Sequence, residues 1–469
     1  MAIIRTVFVR PTVPLVPQTI KLSPLDQFIQ RFYQPTLLFF HTRPNVSNEA
    51  ICAELQQGLA NLLMDLPFLA GNVIAEDETR GTLQIDIPES AGAFFKINNL
   101  VDGDDEEVLD FSELESANFP SSVLEASTLA PTHFVPGPVA PCLMVQANFI
   151  RGGLILAVYI HHSASDGLGT AMIYQTWARH VSSIAEGRIL SASDAYPSDA
   201  LDRSPLYRAT SSLRKLDDFP YFKEAKELPG REIEASKKPQ SENLTMAYWS
   251  ISKSMLQKLE EDGRPNQPDG SRLTESNVLE AFLAKHFVRA KNLESQNFDT
   301  IAVMSVCDIR ARLDPPLHSE YAGNAHVFTT ADVPFAEICS AEPGALYNIA
   351  SSISDSIEWF TADRIWDFVV AIEDHPCVGN LDRVKGTRYE GEIIISDTSS
   401  FSIYMDWGTS LGPPAIFRYP RVYALDWHIT ILPRLPDGDV EFITHLDVDS
   451  LERMKEDGDF TKYAQFRCC

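Results

Sequence analysis

Two adjacent histidines close the apolar run LILAVYI. The segment they open, HHSASDG at residues 161–167, places Asp166 four positions after His162 and Gly167 directly behind it. An imidazole, with a reference pKa of about 6.5, can take the proton from a hydroxyl as that oxygen attacks a carbonyl. An aspartate at this spacing has two possible tasks. It can orient the imidazole, or it can hold the junction rigid through an arginine elsewhere in the chain. Spacing does not choose between them. Neighbouring residues in a strand point to opposite faces, so His161 and His162 are not expected to share a metal ion, and no metal site is expected. No P-loop or dinucleotide fingerprint occurs and no serine nucleophile elbow is expected, which favours direct transfer over a covalent intermediate.

The elements that must position these residues are legible as patterns. CLMVQANFIRGGLILAVYIHH reads as two strands joined at Arg151, Gly152 and Gly153. After Gly167, residues Met172, Ile173, Trp177, Val181 and Ile184 fall on one helical stripe that Gly187 ends. HHSASDG is therefore a strand-to-helix junction, with a strand delivering His162 to its C-terminal end, where open α/β sheets place ligand sites. Gly167 permits a tight turn and a close approach. The same spacing recurs in HLDVD, from His445 to Asp449. There the strand DVEFITHL leads into the helix SLERMKED, and Asp449 is expected only to cap that helix. LTESNVLEAFLAKHFVRAK reads as a helix capped by Thr274, while TIAVMSVCDIR and HITILPRL read as strands. Interleaved strands and helices in both halves predict an α/β fold.

A chain of 469 residues has room for two or three globular units. The polar stretch 191–212 suggests the boundary, giving units at 1–190 and 236–469 with a crossover linker at 191–235. The 39 basic against 65 acidic residues leave a net charge of −26, which repels nucleic acids and anionic membrane surfaces. Seven scattered cysteines without CxxC spacing read as free thiols of a reducing compartment. MAIIRTVFVRPTVPLVPQ, broken by two arginines and three prolines, does not read as a signal peptide, and no apolar run approaches membrane-spanning length. The terminal RCC does not fit a prenylation pattern. These features predict a cytoplasmic protein.

Further segments appear in a telling order: LSPLD (22–26), DLPFLAGNV (65–73), HHSASDG, VCDIRARLDPPL (306–317), YAGNA (321–325), YMDWGTSLGPP (404–414) and the long ending from LPDGDVEFITHL to KYAQF (435–466). In this order and at these separations the chain resembles BAHD-type acyl-CoA-dependent acyltransferases, in particular the fungal branch that includes trichothecene 3-O-acetyltransferase. Trp407 stands where that family has phenylalanine, Thr409 and Ser410 replace a Trp-Gly pair, and Asp397 of ISDTSS stands where many members have tryptophan. The resemblance implies two chloramphenicol acetyltransferase-like α/β domains with a solvent channel between them, and His162 midway along it. His162 is then the general base that deprotonates an acceptor hydroxyl. The alkoxide attacks the thioester of acetyl-CoA or another acyl-CoA, the co-substrate, and no permanently bound cofactor is needed. Asp166 is implied to turn away from the substrate and pair with an arginine, for which Arg310 is the choice, while Asp406 and Gly408 shape a distant loop. Donor contacts are expected from Ser252, Lys253 and Ser396, with Lys285 and Arg289 as further basic residues, and the oxyanion donor from Asn324 or Ser396. The partners expected are a small-molecule alcohol of fungal secondary metabolism and acyl-CoA, bound by a monomer. The alternatives are a stand-alone condensation-type domain of the peptide synthetases, whose HHxxxDG signature the chain also fits, and a non-catalytic binding protein of the same fold.

Overall fold

The structure is a computed structural model that describes residues 4–101, 109–207, 214–219, 244–264, 273–293, 298–342, 344–380, 391–421 and 426–469. Of the expected linker 191–235, residues 208–213 and 220–235 lie outside the described residues.

Two mixed sheets dominate. The first has six strands in the order Ile4–Val9, Ala93–Asn99, Leu143–Ile150, Gly153–His161, Tyr33–His41 and Ile416–Arg418. The second has seven, in the order His326–Pro334, Thr300–Asp308, Glu392–Asp397, His428–Ile431, Val440–Leu446, Thr245–Ile251 and Ala464–Cys468. A small four-stranded sheet flanks the first. The hairpin expected around Gly152 forms: Leu143–Ile150 and Gly153–His161 pair antiparallel, with Gly152 at φ +75°, a backbone state that glycine adopts without a Cβ clash.

Gly153–His161 is a central strand buried along its whole length, which is why its sequence is a continuous apolar run instead of an alternation. The helices Asn48–Asp65 and Gly167–Ala185 pack together over one face of this sheet, where Trp177 is fully buried and its indole N–H donates to the Leu55 carbonyl at 3.1 Å. In the second unit the helix Glu275–Lys291 is buried over most of its surface, and Thr274 caps it as the sequence suggested, in a reciprocal capping box with Asn277. The seven cysteines carry free thiols. Among the described residues no helix is long and apolar enough to cross a membrane.

Two details depart from the sequence reading. The helix at 448–456 is capped by Asp447, whose carboxylate accepts from Ser450 N at 2.9 Å, while Asp449 is exposed in the first turn. The Asp449 cap was misplaced by two residues, because the strand ends at Leu446 and the first residue free to adopt extended cap geometry is Asp447. Residues 401–421, expected in the second unit, cross back onto the first. Ile416–Arg418 pairs with Tyr33–His41, and Trp407 is fully buried with its ring 5.5 Å from Phe40 and 5.2 Å from Trp177. Burying a large aromatic is worth roughly 1.5–3 kcal/mol, which fastens this crossover to the first core. Arg418 then bridges back, its guanidinium 2.6 Å from Glu441 of the second sheet with both side chains buried.

Candidate active site

The central strand ends at His161, and the chain turns at once: the Ala164 amide donates to the His161 carbonyl at 2.8 Å. His162 follows the last strand residue. Its amide donates to the Phe32 carbonyl at 2.9 Å, and its ring stands edge-on to Phe32 with centroids 5.1 Å apart. His161 points the other way and is 2 % exposed, its Nδ1 accepting from the Ser163 amide at 3.1 Å. Burial, with His162 and Arg31 adding to it, pushes the His161 imidazole down to about 3. A group held neutral in this way and closed off from solvent is a poor base for an incoming substrate. His162, by contrast, is partly exposed.

Asp166 is the N-cap of the Gly167–Ala185 helix and accepts from the Gly169 amide at 2.8 Å. Its other contacts come from 140 or more residues away. Arg310 Nη2 reaches both carboxylate oxygens, at 2.9 and 3.0 Å, and the Ala325 amide donates at 2.9 Å. Burial alone raises a carboxyl pKa, but Arg310 and His326 outweigh it and hold Asp166 well below the usual carboxylate range. The same guanidinium donates to the carbonyls of Tyr321 and Gly323 and to Asp308. Of the two tasks open to Asp166, these contacts supply the second. The carboxylate fastens the junction to the second unit and does not touch the imidazole of His162 through any contact described for it.

A second buried carboxylate does parallel work. Asp26 of LSPLD completes the capping box of its own short helix, its carboxylate accepting from the amide of the N-cap Ser23 at 2.9 Å, and pairs with Arg203 Nη1, while Arg203 Nη2 donates to the Ala164 carbonyl at 2.7 Å. Asn324 gives Asp26 both its backbone amide and one side-chain N–H, each at 2.8 Å. The Asn324 side-chain nitrogen also donates to the His162 carbonyl at 2.8 Å. Both of its amide hydrogens are therefore committed, so Asn324 holds the His162 backbone and is not placed to donate to an oxyanion. That expectation for Asn324 is corrected. Among the described residues no cluster of His, Cys, Asp and Glu could hold a metal ion.

The model of the transferase family matches residues 1–461 of this chain. The chain belongs to that family, the BAHD transferases. Similar proteins include the acyltransferase easC of Emericella nidulans, 28 % identical over 98 % of both chains, and the eremophilane O-acetyltransferase ORF8 of Penicillium roqueforti, 25 % identical over 95 % of this chain and 98 % of the relative. Among solved structures, F. graminearum TRI101 complexed with coenzyme A and T-2 mycotoxin superposes with a TM-score of 0.81 at 20 % identity, covering 96 % of this chain and 99 % of the other. The protein is an acyltransferase with two chloramphenicol acetyltransferase-like domains.

Within this BAHD frame the other sequence candidates fall into separate groups. Gly167 does sit at a close approach, since a Cβ there would lie 2.9 Å from the Phe401 ring. The tighter constraint is at Gly169, where a Cβ would lie 2.2 Å from Ser165 Oγ and 2.9 Å from the Ala322 carbonyl. Asp406 accepts from the Gly408 amide at 2.9 Å, and Gly408, at φ +92°, lies so close to Ser182 that a Cβ would come within 2.8 Å of its Cα. This loop clamps the far end of the Gly167–Ala185 helix. The same loop spells GTSLG at 408–412, a G-x-S-x-G pattern that the expectation of no serine elbow passed over. Ser410 is buried, donates to Glu54 at 2.8 Å, and lies in a turn that leads into a strand instead of a helix, so it is not a nucleophile elbow.

The donor candidates are dispersed. Ser252 caps the Lys253–Gly263 helix by accepting from Met255 N, the Lys253 amide donates to Asp439, and the Lys253 side chain lies over Gly438. Arg434, which the sequence reading did not single out, donates to the Gly438 carbonyl and to Glu275 at the start of the next helix. Ser396 is on the half-exposed face of its strand, 3.1 Å from His428 Nε2. Lys285 and Arg289 lie about 15 and 20 Å further along the Glu275–Lys291 helix. Lys285 donates to the Ser340 carbonyl and Arg289 pairs with Asp457 and Asp459, so neither joins the Ser252 group.

Sequence reasoning missed three residues around His162. Asp26 was quoted within LSPLD but given no role, and Arg203 lies in the expected linker. His326, two residues after Asn324, has its Nδ1 3.7 Å from Asp166 and its ring centroid 6.0 Å from that of His162. Its signal was its place directly behind YAGNA.

Proposed function

We propose that this protein transfers an acyl group, acetyl in the first instance, from coenzyme A to a hydroxyl of a fungal secondary metabolite, with His162 as general base. The observation that carries this reading is the contrast within one histidine pair. His161 is sealed and held neutral, while His162 is partly exposed beyond the end of the central strand, its backbone fixed from both sides by Phe32 and Asn324. The imidazole takes the hydroxyl proton as the oxygen attacks the thioester carbonyl. The tetrahedral intermediate then collapses, the carbon–sulfur bond breaks, and the proton passes to the departing thiolate. Asp166 and Arg310 hold the junction, so that the base meets both substrates in one geometry. Ser252, Lys253 and Ser396 are assigned to the donor side, with acyl-CoA entering one end of a channel between the domains and the acceptor the other. The enzyme acts on these small molecules as a cytoplasmic monomer.

Support for the acceptor class comes from relatives such as the eremophilane O-acetyltransferase and from the trichothecene-bound TRI101 structure. The test is incubation with acetyl-CoA and a panel of terpenoid, alkaloid and polyketide alcohols. Free thiol release and a 42 Da mass gain on one acceptor are expected as an acetyl replaces a hydroxyl hydrogen, roughly the mass of ketene added. Turnover that survives in His162→Ala at the wild-type rate would remove the base assignment.

A further inference from the structure

The carboxylate of the His-x-x-x-Asp motif touches an imidazole, but not the one in its own motif. His326 begins the His326–Pro334 strand, and its Nδ1 is 3.7 Å from Asp166 Oδ2. Its ring lies 6.0 Å, centroid to centroid, from that of His162 and tilted by 42°. Its ring also meets Phe328 edge-on, with centroids 5.6 Å apart. Its side chain keeps about a tenth of its surface exposed, so it is not sealed off as His161 is. Two imidazoles this close cannot both be charged without mutual repulsion.

Among the described residues, four ionisable groups bear on His326. Asp166 and His162 face it from the strand-to-helix junction. Asp308 lies opposite it in register on the neighbouring strand, and Arg310, two residues further on, pairs with both Asp166 and Asp308. Beyond Asn324 lies the Asp26–Arg203 pair, already neutral as a unit. The carboxylate with a described contact to this pair is Asp166, and that contact is to His326.

We propose that His162 and His326 form a coupled imidazole pair in which charge on either ring disfavours charge on the other, with Asp166 standing against His326 and not against His162. His326 is then a positioning residue acting through His162. By disfavouring charge on His162 it favours the neutral imidazole that accepts the hydroxyl proton. Once His162 is protonated, repulsion from His326 makes it a stronger acid, which favours delivery of that proton to the coenzyme thiolate. This second consequence rests on His162 being the base, whereas the coupling itself does not.

The experiment is an NMR titration of the ligand-free protein labelled at histidine Cε1, with the His162 signal assigned by its loss in His162→Gln. In His326→Gln the His162 midpoint is expected to rise by about 0.5–1 pH unit, since a like charge roughly 6 Å away is removed in a partly solvated site. An unchanged or lowered midpoint would overturn the proposal. Should that variant fail to fold, the wild-type curves decide. Coupled groups titrate in two reciprocal steps, and two independent single-step curves would overturn the coupling. The acid limb of kcat/KM is measured alongside. If the His162 midpoint moves and the limb does not follow, the coupling stands and the assignment of His162 as base fails.

Discussion

The molecule contains the pattern His-x-x-x-Asp twice, and the two copies have little in common beyond spacing. At 162 and 166 the histidine lies in a turn past the end of a central strand, and the aspartate is buried, caps a long helix and binds an arginine from the other unit. At 445 and 449 the histidine is inside a strand and 5 % exposed, and the aspartate is exposed in the first turn of a helix that its neighbour Asp447 caps. Four residues of separation thus define no site. What differs is where the strand ends relative to the histidine, and whether a distant cation reaches the carboxylate. The sharpest way to break this contrast is to remove each histidine. His162→Ala is expected to lower kcat about 10²- to 10⁴-fold with the fold retained, the range for loss of a general base. His445→Ala should leave kcat per folded molecule unchanged, as measured by initial rates on protein of matched circular dichroism.

The next largest effect concerns the aspartates. Asp166→Asn leaves the buried Arg310 guanidinium without its counter-charge, a loss of about 3–5 kcal/mol in unfolding free energy. Arg310→Ala should cost a similar amount, and the double variant should be no worse than either single change, because the two side chains act as one unit. Fully additive losses in urea unfolding would separate them. Asp449→Asn, in water and without a buried partner, should cost no more than about 1 kcal/mol, the helix-dipole contribution of its charge.

A pH series sharpens the same contrast. Asp166 is held below the usual carboxylate range, so it contributes stability that is fully present above its unfolded pKa of about 3.9 and is lost as pH falls through the lower folded value. The stability gap between wild type and Asp166→Asn should therefore be constant from about pH 7 to 5 and narrow below about pH 4. A gap that widened on acidification would contradict the ionised Asp166–Arg310 pair.

How far the sequence anticipated this site depended on the range of the contacts. The hairpin around Gly152, the junction at 161–167 and the Thr274 cap rest on neighbours in sequence, and their patterns were readable. Arg310 as the partner of Asp166 came only through the resemblance, because no periodicity links residues 144 apart. Asp26, Arg203 and His326 converge on the His162 turn from three separate stretches, and nothing local marks them. Asn324 shows the converse error. Its residue type suited an oxyanion donor, but both its hydrogens are spent on Asp26 and the His162 carbonyl. Lys285 and Arg289 were chosen for charge alone, and the fold gives them other partners.

The smallest expected effect tests the second copy on its own terms. Asp447 accepts from the Ser450 amide at 2.9 Å and from its hydroxyl at 2.7 Å, and it sits at extended φ and ψ of −64° and 162°, the geometry of an N-cap. Burial raises its pKa, but the two Ser450 bonds outweigh this and keep the carboxyl below its ordinary value, as suits an acceptor at a helix N-terminus. Asp449 has only its charge to offer, in the first turn of the same helix. Asp447→Ala should therefore cost about 0.5–2 kcal/mol, against about 0.3–1 kcal/mol for Asp449→Ala, where only the helix-dipole contribution is lost. Neither change should alter kcat. The order of the two thermal midpoints is the decisive reading, because a lower midpoint for Asp449→Ala would return the cap to Asp449. That outcome would make the two copies alike in that the aspartate of each caps its helix, and would leave the place of the histidine relative to the strand end and the Arg310 contact to separate them.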